Sequence, residues 1–154
     1  RIGYTAGNKN VIKAMSKLQG QSTSCPNSIA QFAAIEALIG EQSKVDEMRS
    51  IFKQRRAIIM NRLKNIPLLR CDVPGGAFYV FPEFSKYIGK KLNGKIIKSA
   101  TDIAFYLLEN HQVVTVPGDG FGAPNNIRFS YAASDNNINN AMDALEKVIK
   151  KINK

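Results

Sequence analysis

The sequence predicts an α/β fold, and three observations carry that prediction. Apolar residues recur at helical spacing in three successive segments as far as residue 65. Beyond Pro67 the pattern changes to short apolar β segments, set off by Gly and Pro turns and interleaved with helical stretches. Of 154 residues 44% are hydrophobic, with 8 Phe and 5 Tyr, enough apolar side chain to build a core and to exclude wholesale disorder. There is no internal repeat.

Taken in order, Asn8 caps a first helix with Val11, Ile12, Met15 and Leu18 on one face, and Gly20 is expected to end it. Residues 21–28 read as a polar loop, with Asn27 or Ser28 capping a second helix through Ile29, Phe32, Ala33, Ile35, Ala37 and Leu38 that stops at Gly40. A long helix follows from Ser43 to about Asn65, apolar along Val45, Met48, Ile51, Phe52, Ile58, Ile59 and Leu63, with Lys53, Arg55 and Arg56 on its other side. Gly75-Gly76 turns into a strand over residues 77–81, whose pairing Pro82 limits beyond its end. Residues 83–98 are a lysine-rich connection with only short structure. Thr101-Asp102 begin a helix through Ile103, Phe105, Leu107 and Leu108, followed by a strand over residues 112–116. A Gly/Pro turn over residues 117–122 leads to a strand over residues 127–131. Ser134-Asp135 start a last helix carrying Ile138, Met142, Leu145, Val148 and Ile149.

Composition narrows the function. No apolar run approaches the ~18 residues of a membrane-spanning helix, so no membrane partner is expected. Two cysteines, Cys25 and Cys71, are too few for a disulfide scaffold and lack a thiolate-stabilising neighbour, which predicts inert thiols in a reducing, cytoplasmic setting. One His without paired Cys supplies no metal cluster, and His111 reads as a helix-terminal or surface residue. The balance of 22 Lys+Arg against 12 Asp+Glu, net +10, brings nucleic acid into consideration. The lysines concentrate in residues 86–98 and 147–154, without aromatics spaced as a stacking platform, so solvated faces are the expected reading and no nucleic-acid partner is assigned. The chain opens on a β-like segment without Met or a leader pattern, which predicts the C-terminal piece of something longer.

Hydrolase and nucleotide chemistry find no support: there is no Ser/His/Asp constellation or nucleophile elbow, and the Gly-rich residues 118–122 lack a following Lys-Ser/Thr. Arg128 differs from the other arginines, because it interrupts an apolar strand just after a Gly/Pro loop. Alternation puts Arg128 and Ser130 on one face and Ile127 and Phe129 on the other. A guanidinium there is suited to grip a carboxylate by two parallel hydrogen bonds. An exposed Arg on a half-solvated strand fits the same spacing.

Six motifs occur in order: Arg1-Ile2-Gly3-Tyr4, Gln21-Ser22-Thr23-Ser24, Gly75-Gly76-Ala77-Phe78-Tyr79, Val116-Pro117-Gly118, Phe121-Gly122 and Ile127-Arg128-Phe129-Ser130-Tyr131-Ala132. Together they resemble the class I pyridoxal-phosphate-dependent aminotransferases, nearest to the aspartate aminotransferases of the bacterial type, over essentially the whole chain. The resemblance implies fold type I, with residues 1–45 as the tail of the large cofactor-binding domain and residues 46–154 as the long connecting helix and small C-terminal domain. It implies transfer of an amino group between an amino acid, aspartate first, and a 2-oxo acid such as 2-oxoglutarate, in a cytoplasmic homodimer. Arg1 would contact the phosphate of pyridoxal 5'-phosphate, Arg128 the substrate α-carboxylate, and Phe78 the apolar wall beside the substrate. Residues 22–24 would lie near the subunit interface. The Schiff-base lysine lies upstream of the Arg-Ile-Gly-Tyr motif in the family, so no catalytic residue is assigned in this chain and the chain alone is expected to be inactive. Asp119-Gly120 depart from the small or hydroxyl residues frequent there. The alternative from another class is a non-catalytic basic α/β module that binds nucleic acid or a protein partner.

Overall fold

Asn27 shows how local chemistry sets the helices. Its side-chain oxygen accepts from the backbone N–H of Ile29 at 2.9 Å and of Ala30 at 3.2 Å, satisfying donors that a helix start leaves without partners. Helix α2, Ser28–Ile39, follows directly, and Asn8 caps α1, Lys9–Ser22, in the same way through Asn10. The computed structural model describes residues 1–152 and contains two compact units, Arg1–Glu47 and Met48–Lys154. The long helix α3, Ser43–Lys64, begins in the first and continues in the second.

In the first unit α1 runs through Gly20, which was expected to end it, and stops at Thr23 instead. The stop is made by Ser24 in the left-handed region at φ 65°, with the N–H groups of Thr23 and Ser24 both donating to Gln19 O. Residues 1–8 form no strand, so the β-like opening is a pattern without a ladder among the described residues. Neither α1 nor α2 buries a single residue: Leu18, Ile29, Phe32, Leu38 and Ile39 each keep two-thirds or more of their surface exposed. α2 ends at Gly40, where a Cβ would lie 2.5 Å from the Glu36 carbonyl oxygen, closer than a side chain tolerates.

The second unit holds the core. Its three-stranded antiparallel sheet has the order β1 (Tyr79–Val80), β5 (Ile127–Ser130), β4 (Val116–Pro117). The expected strand over residues 77–81 shortens because Ala77 adopts φ 58°, but contact continues past Pro82 through isolated bridges of Glu83 to Arg70 and Asn126. The expected strand over residues 112–116 also moves. Gln112 takes a left-handed cap at φ 54°, closing α4 (Ala100–His111), and ladder pairing begins only at Val116. α4 starts one residue early, because Ser99 is the cap and the Asp102 carboxylate accepts from the N–H groups of Lys98 and Ser99. The lysine-rich connection contains a short 3-10 turn, Ser85–Tyr87, and a small hairpin of β2 (Lys91–Leu92) and β3 (Lys95–Ile96). It is anchored by the fully buried Phe84 and Tyr87.

Helix α5, Asp135–Ile152, buries the whole stripe Ile138, Met142, Leu145, Val148 and Ile149. Its polar side is tied to α3: Arg62 hydrogen-bonds Glu146 at 2.8 Å and Asp143, and Arg55 meets Asp135 at 3.0 Å. The Glu146 hydrogen bond, then that of Asp143, raises the Arg62 pKa above its ordinary value. Cys71 sits partly buried beside Met60, and its thiol donates to the Asp72 carbonyl at 3.6 Å. Burial pushes this thiol up from its ordinary value, which fits the expected inert role.

These differences in packing should be measurable. Leu145, fully buried, should cost about 2–5 kcal/mol of second-unit stability when changed to Ala, seen as a lowered unfolding midpoint. In hydrogen exchange, amides of α1 and α2 should exchange well before those of α5, and equal protection in a monomeric sample would contradict the packing described. The cysteines should part company too. At pH 8 the exposed Cys25 should be alkylated faster than Cys71, and the difference should vanish in denaturant. Because the folded Cys71 keeps its proton to higher pH, its contribution to stability is complete below the unfolded thiol value and declines as pH rises through the folded one.

Candidate functional site

β5 places Arg128. Ile127 is fully buried and Phe129 is 3% exposed, so strand alternation drives Arg128 and Ser130 to the opposite face. The register is held on both sides, by Tyr79 opposite Ser130 and Val80 opposite Phe129 in β1, and by Val116 opposite Arg128 in β4. A slip of one residue would put the guanidinium into the core. Arg128 is half-buried, and its guanidinium carbon lies 4.3 Å from the Tyr79 ring centre and 4.6 Å from that of Phe121. Among the described residues no carboxylate or carbonyl engages its N–H groups. The strand thus half-buries Arg128 between two rings and leaves its N–H groups open to solvent or a ligand.

Phe121 is placed by the turn after β4. Residues Gly118–Phe121 form a 3-10 turn closed by Gly122 at φ 70°, a left-handed conformation that favours glycine. Gly118 packs so tightly that a Cβ would lie 2.0 Å from the Ala123 carbonyl oxygen. The Phe121 ring then meets Phe81 edge-on, with centroids 6.0 Å apart at 88°.

Phe78 joins the same surroundings. Its ring is 40% exposed, 4.5 Å from that of Tyr79 and 6.1 Å from that of Phe52. Tyr131, fully inside, holds the chain there: its N–H donates to the Phe78 carbonyl and its hydroxyl to the Ala77 carbonyl, both at 2.9 Å. Beside them opens a cleft of about 670 Å³ bordered by Phe52, Gly76, Ala77, Tyr131, Lys53 and Arg56. Phe78 and Arg128 are thus brought together through the Tyr79 ring. Arg1 belongs to the first unit, where it is exposed and makes no ion pair or hydrogen bond among the described residues. Its donors are unclaimed, a state that suits a phosphate dianion.

Three expectations bear on other residues. His111 is the last residue of α4, half-buried, with its ring 6.1 Å from Tyr106 and its Nε2 out of solvent without a partner among the described residues. No group of three or more His, Cys, Asp or Glu able to hold a metal occurs among the described residues, and no helix is long and apolar enough to cross a membrane. The sequence reading missed Tyr79 and Phe121 as neighbours of Arg128. Alternation alone does not show them, since their approach depends on the pairing of β1 with β5 and on the turn after β4.

Comparisons with known proteins bear on the family and the fold. Residues 1–145 match the family model described as aminotransferase class I and II. The chain is 45% identical over 154 residues to an aspartate aminotransferase of Geobacillus stearothermophilus, covering 100% of this chain and 36% of that protein. Among solved structures, the aspartate aminotransferase of Rhizobium meliloti superposes with a TM-score of 0.86 at 40% identity, over 95% of this chain and 37% of that one. An aromatic aminotransferase of Pyrococcus horikoshii gives 0.80 at 31%, over 94% and 37%. The chain therefore spans little more than a third of the length of the relatives it matches. With motifs, fold and a near whole-chain family match in agreement, the chain belongs to the aminotransferase class I and II family of pyridoxal-phosphate-dependent enzymes, and its mixed α/β architecture is that of the C-terminal part of fold type I.

Proposed function

We propose that this chain supplies the substrate-carboxylate half of a pyridoxal-phosphate-dependent transaminase of the aspartate type, one that moves an amino group between an amino acid, aspartate first, and a 2-oxo acid such as 2-oxoglutarate. The observation that carries the reading is Arg128: a guanidinium on the central strand, flanked by two rings and engaged by no acceptor among the described residues. Both substrates share a carboxylate next to the reacting carbon. Two parallel hydrogen bonds from one planar fork fix the position and tilt of that carboxylate, which a single point charge does not. Holding a reactant in one orientation lowers the barrier by ~7–11 kcal/mol in favourable cases. Phe78 supplies an apolar wall beside it.

Bound pyridoxal phosphate supplies an electron sink for charge developing at the substrate α-carbon. Arg1 would hold its phosphate, as a permanent cation facing a dianion. We infer further that the enzyme is a cytoplasmic homodimer. The two free cysteines support a reducing compartment, and the bare apolar faces of α1 and α2 support burial against more protein than this chain contains. No observation favours the rival reading as a basic binding module: of the clustered lysines Lys90 lies over the Tyr87 ring and Lys151 over that of Tyr106, while Lys86, Lys91, Lys95, Lys98, Lys147 and Lys150 are exposed, as expected of solvated faces.

The test is Arg128→Lys in the full-length enzyme. Charge survives but the fork is lost, at about 1.5–3 kcal/mol per charged hydrogen bond, so kcat/KM for aspartate should fall at least tenfold and as much as a hundredfold or more. Cofactor absorbance should stay unchanged. Arg1→Ala should do the reverse, weakening cofactor retention on dialysis. Near-normal amino acid kinetics in Arg128→Lys would remove the carboxylate role.

A further inference from the structure

An arginine that orients a carboxylate must itself be oriented, yet its side chain has several freely rotating bonds, and loss of that freedom opposes binding. The surroundings of Arg128 address this. In the sheet order β1-β5-β4, Arg128 stands on the central strand, Tyr79 comes from β1 on one side, and Phe121 comes from the turn after β4 on the other. Both rings present their faces to the guanidinium carbon, at 4.3 and 4.6 Å. An aromatic face over that carbon takes no hydrogen bond from the N–H groups, so the cation is held while its donors remain free for a ligand.

We propose that Tyr79 and Phe121 are positioning residues for substrate binding, a two-sided aromatic clamp that fixes the Arg128 guanidinium before the carboxylate arrives. The proposal rests on the carboxylate role argued above. Two details favour a clamp over simple space-filling. Phe121 remains 51% exposed, so removal from water does not explain its placement, whereas contact with a cation does. Its turn is nevertheless rigidly built, by Gly118 and Gly122 on the backbone and by Phe81 against the ring edge. On the other side Tyr79 is braced by Phe78, and its hydroxyl makes no hydrogen bond among the described residues, so the ring is the working part. The rings also displace water from the guanidinium, which strengthens its attraction for a carboxylate.

The test has a spectroscopic and a kinetic arm. In the 154-residue chain, nitrogen-15 spectra of the arginine side chains should show Arg128 with a ring-shifted Nε–H signal and slowed guanidinium rotation, both lost in Tyr79→Leu and Phe121→Leu. In the full-length enzyme each Leu change should raise KM for amino acid and 2-oxo acid about five- to thirtyfold, the range a desolvated cation–ring contact supports, with kcat altered far less. Tyr79→Phe, which keeps the ring, should recover most of the lost affinity. In an Arg128→Lys background the same Leu changes should add less than about twofold, because the clamp has lost the group it orients. Leu variants with unchanged KM, effects that multiply in full in the Arg128→Lys background, or an Arg128 signal as mobile as those of exposed arginines would each overturn the clamp. If Arg128→Lys kinetics are normal while the ring-shifted signal persists, the carboxylate role fails and the clamp stands as a purely structural contact.

Discussion

Everything distinctive about the second unit depends on the alternation of four residues in β5. Ile127 and Phe129 face the core, and Arg128 and Ser130 cannot then do so. The same strand that seals the hydrophobic interior therefore exposes the site, and the core's demand for Ile127 and Phe129 fixes where the guanidinium points. Antiparallel partners on both sides lock this register, so it does not rely on the arginine's own interactions. Stability and orientation are set by one constraint.

The arginines of α3 show by contrast what an arginine does when the fold consumes it. Arg62 is engaged by Glu146 and Asp143, Arg55 by Asp135, and Arg56 donates to the Pro74 carbonyl at 2.7 Å. Each is satisfied by an acceptor, and each fastens α3 to a neighbouring segment. Arg128 is held by rings alone. An acceptor would have neutralised the fork that a substrate needs, whereas a π face restrains the cation and leaves its donors free. That difference in partner chemistry, more than exposure, sets Arg128 apart from the structural arginines and is what the proposed binding role rests on.

Much of this was legible in the sequence where the signal is local. The Asn8 and Asn27 caps, the α5 stripe and the face of Arg128 follow from side-chain chemistry and periodicity within a few residues. Sequence reading places the start of α4 slightly late, at Thr101-Asp102, although Ser99 and Asp102 have the capping-box spacing that marks it. The rest was not local. Gly20 passes through α1 because the left-handed stop falls at Ser24, a position that hardly announces it, and Gln112 delays β4 by taking a left-handed cap. Tyr79 and Phe121 become neighbours of Arg128 only through pairings that span about 49 residues of chain in one case and a turn pinned by Gly118 in the other. Periodicity carries no information about such contacts.

The two arginines of the proposed site stand on very different footings. Arg128 rests on a strand between two others over a core that closes within Met48–Lys154, so its geometry needs nothing outside that unit. Arg1 rests on a segment without secondary structure, followed by two helices that bury nothing. Exposed Leu18, Ile29, Phe32, Leu38 and Ile39 cannot stabilise a unit on their own, because apolar surface contributes only when it leaves water. The phosphate contact proposed for Arg1 would therefore require additional protein to cover those faces, in keeping with a chain that spans about a third of its relatives' length. The proposed carboxylate site is thus built within one packed unit of this chain, whereas the proposed phosphate contact is not.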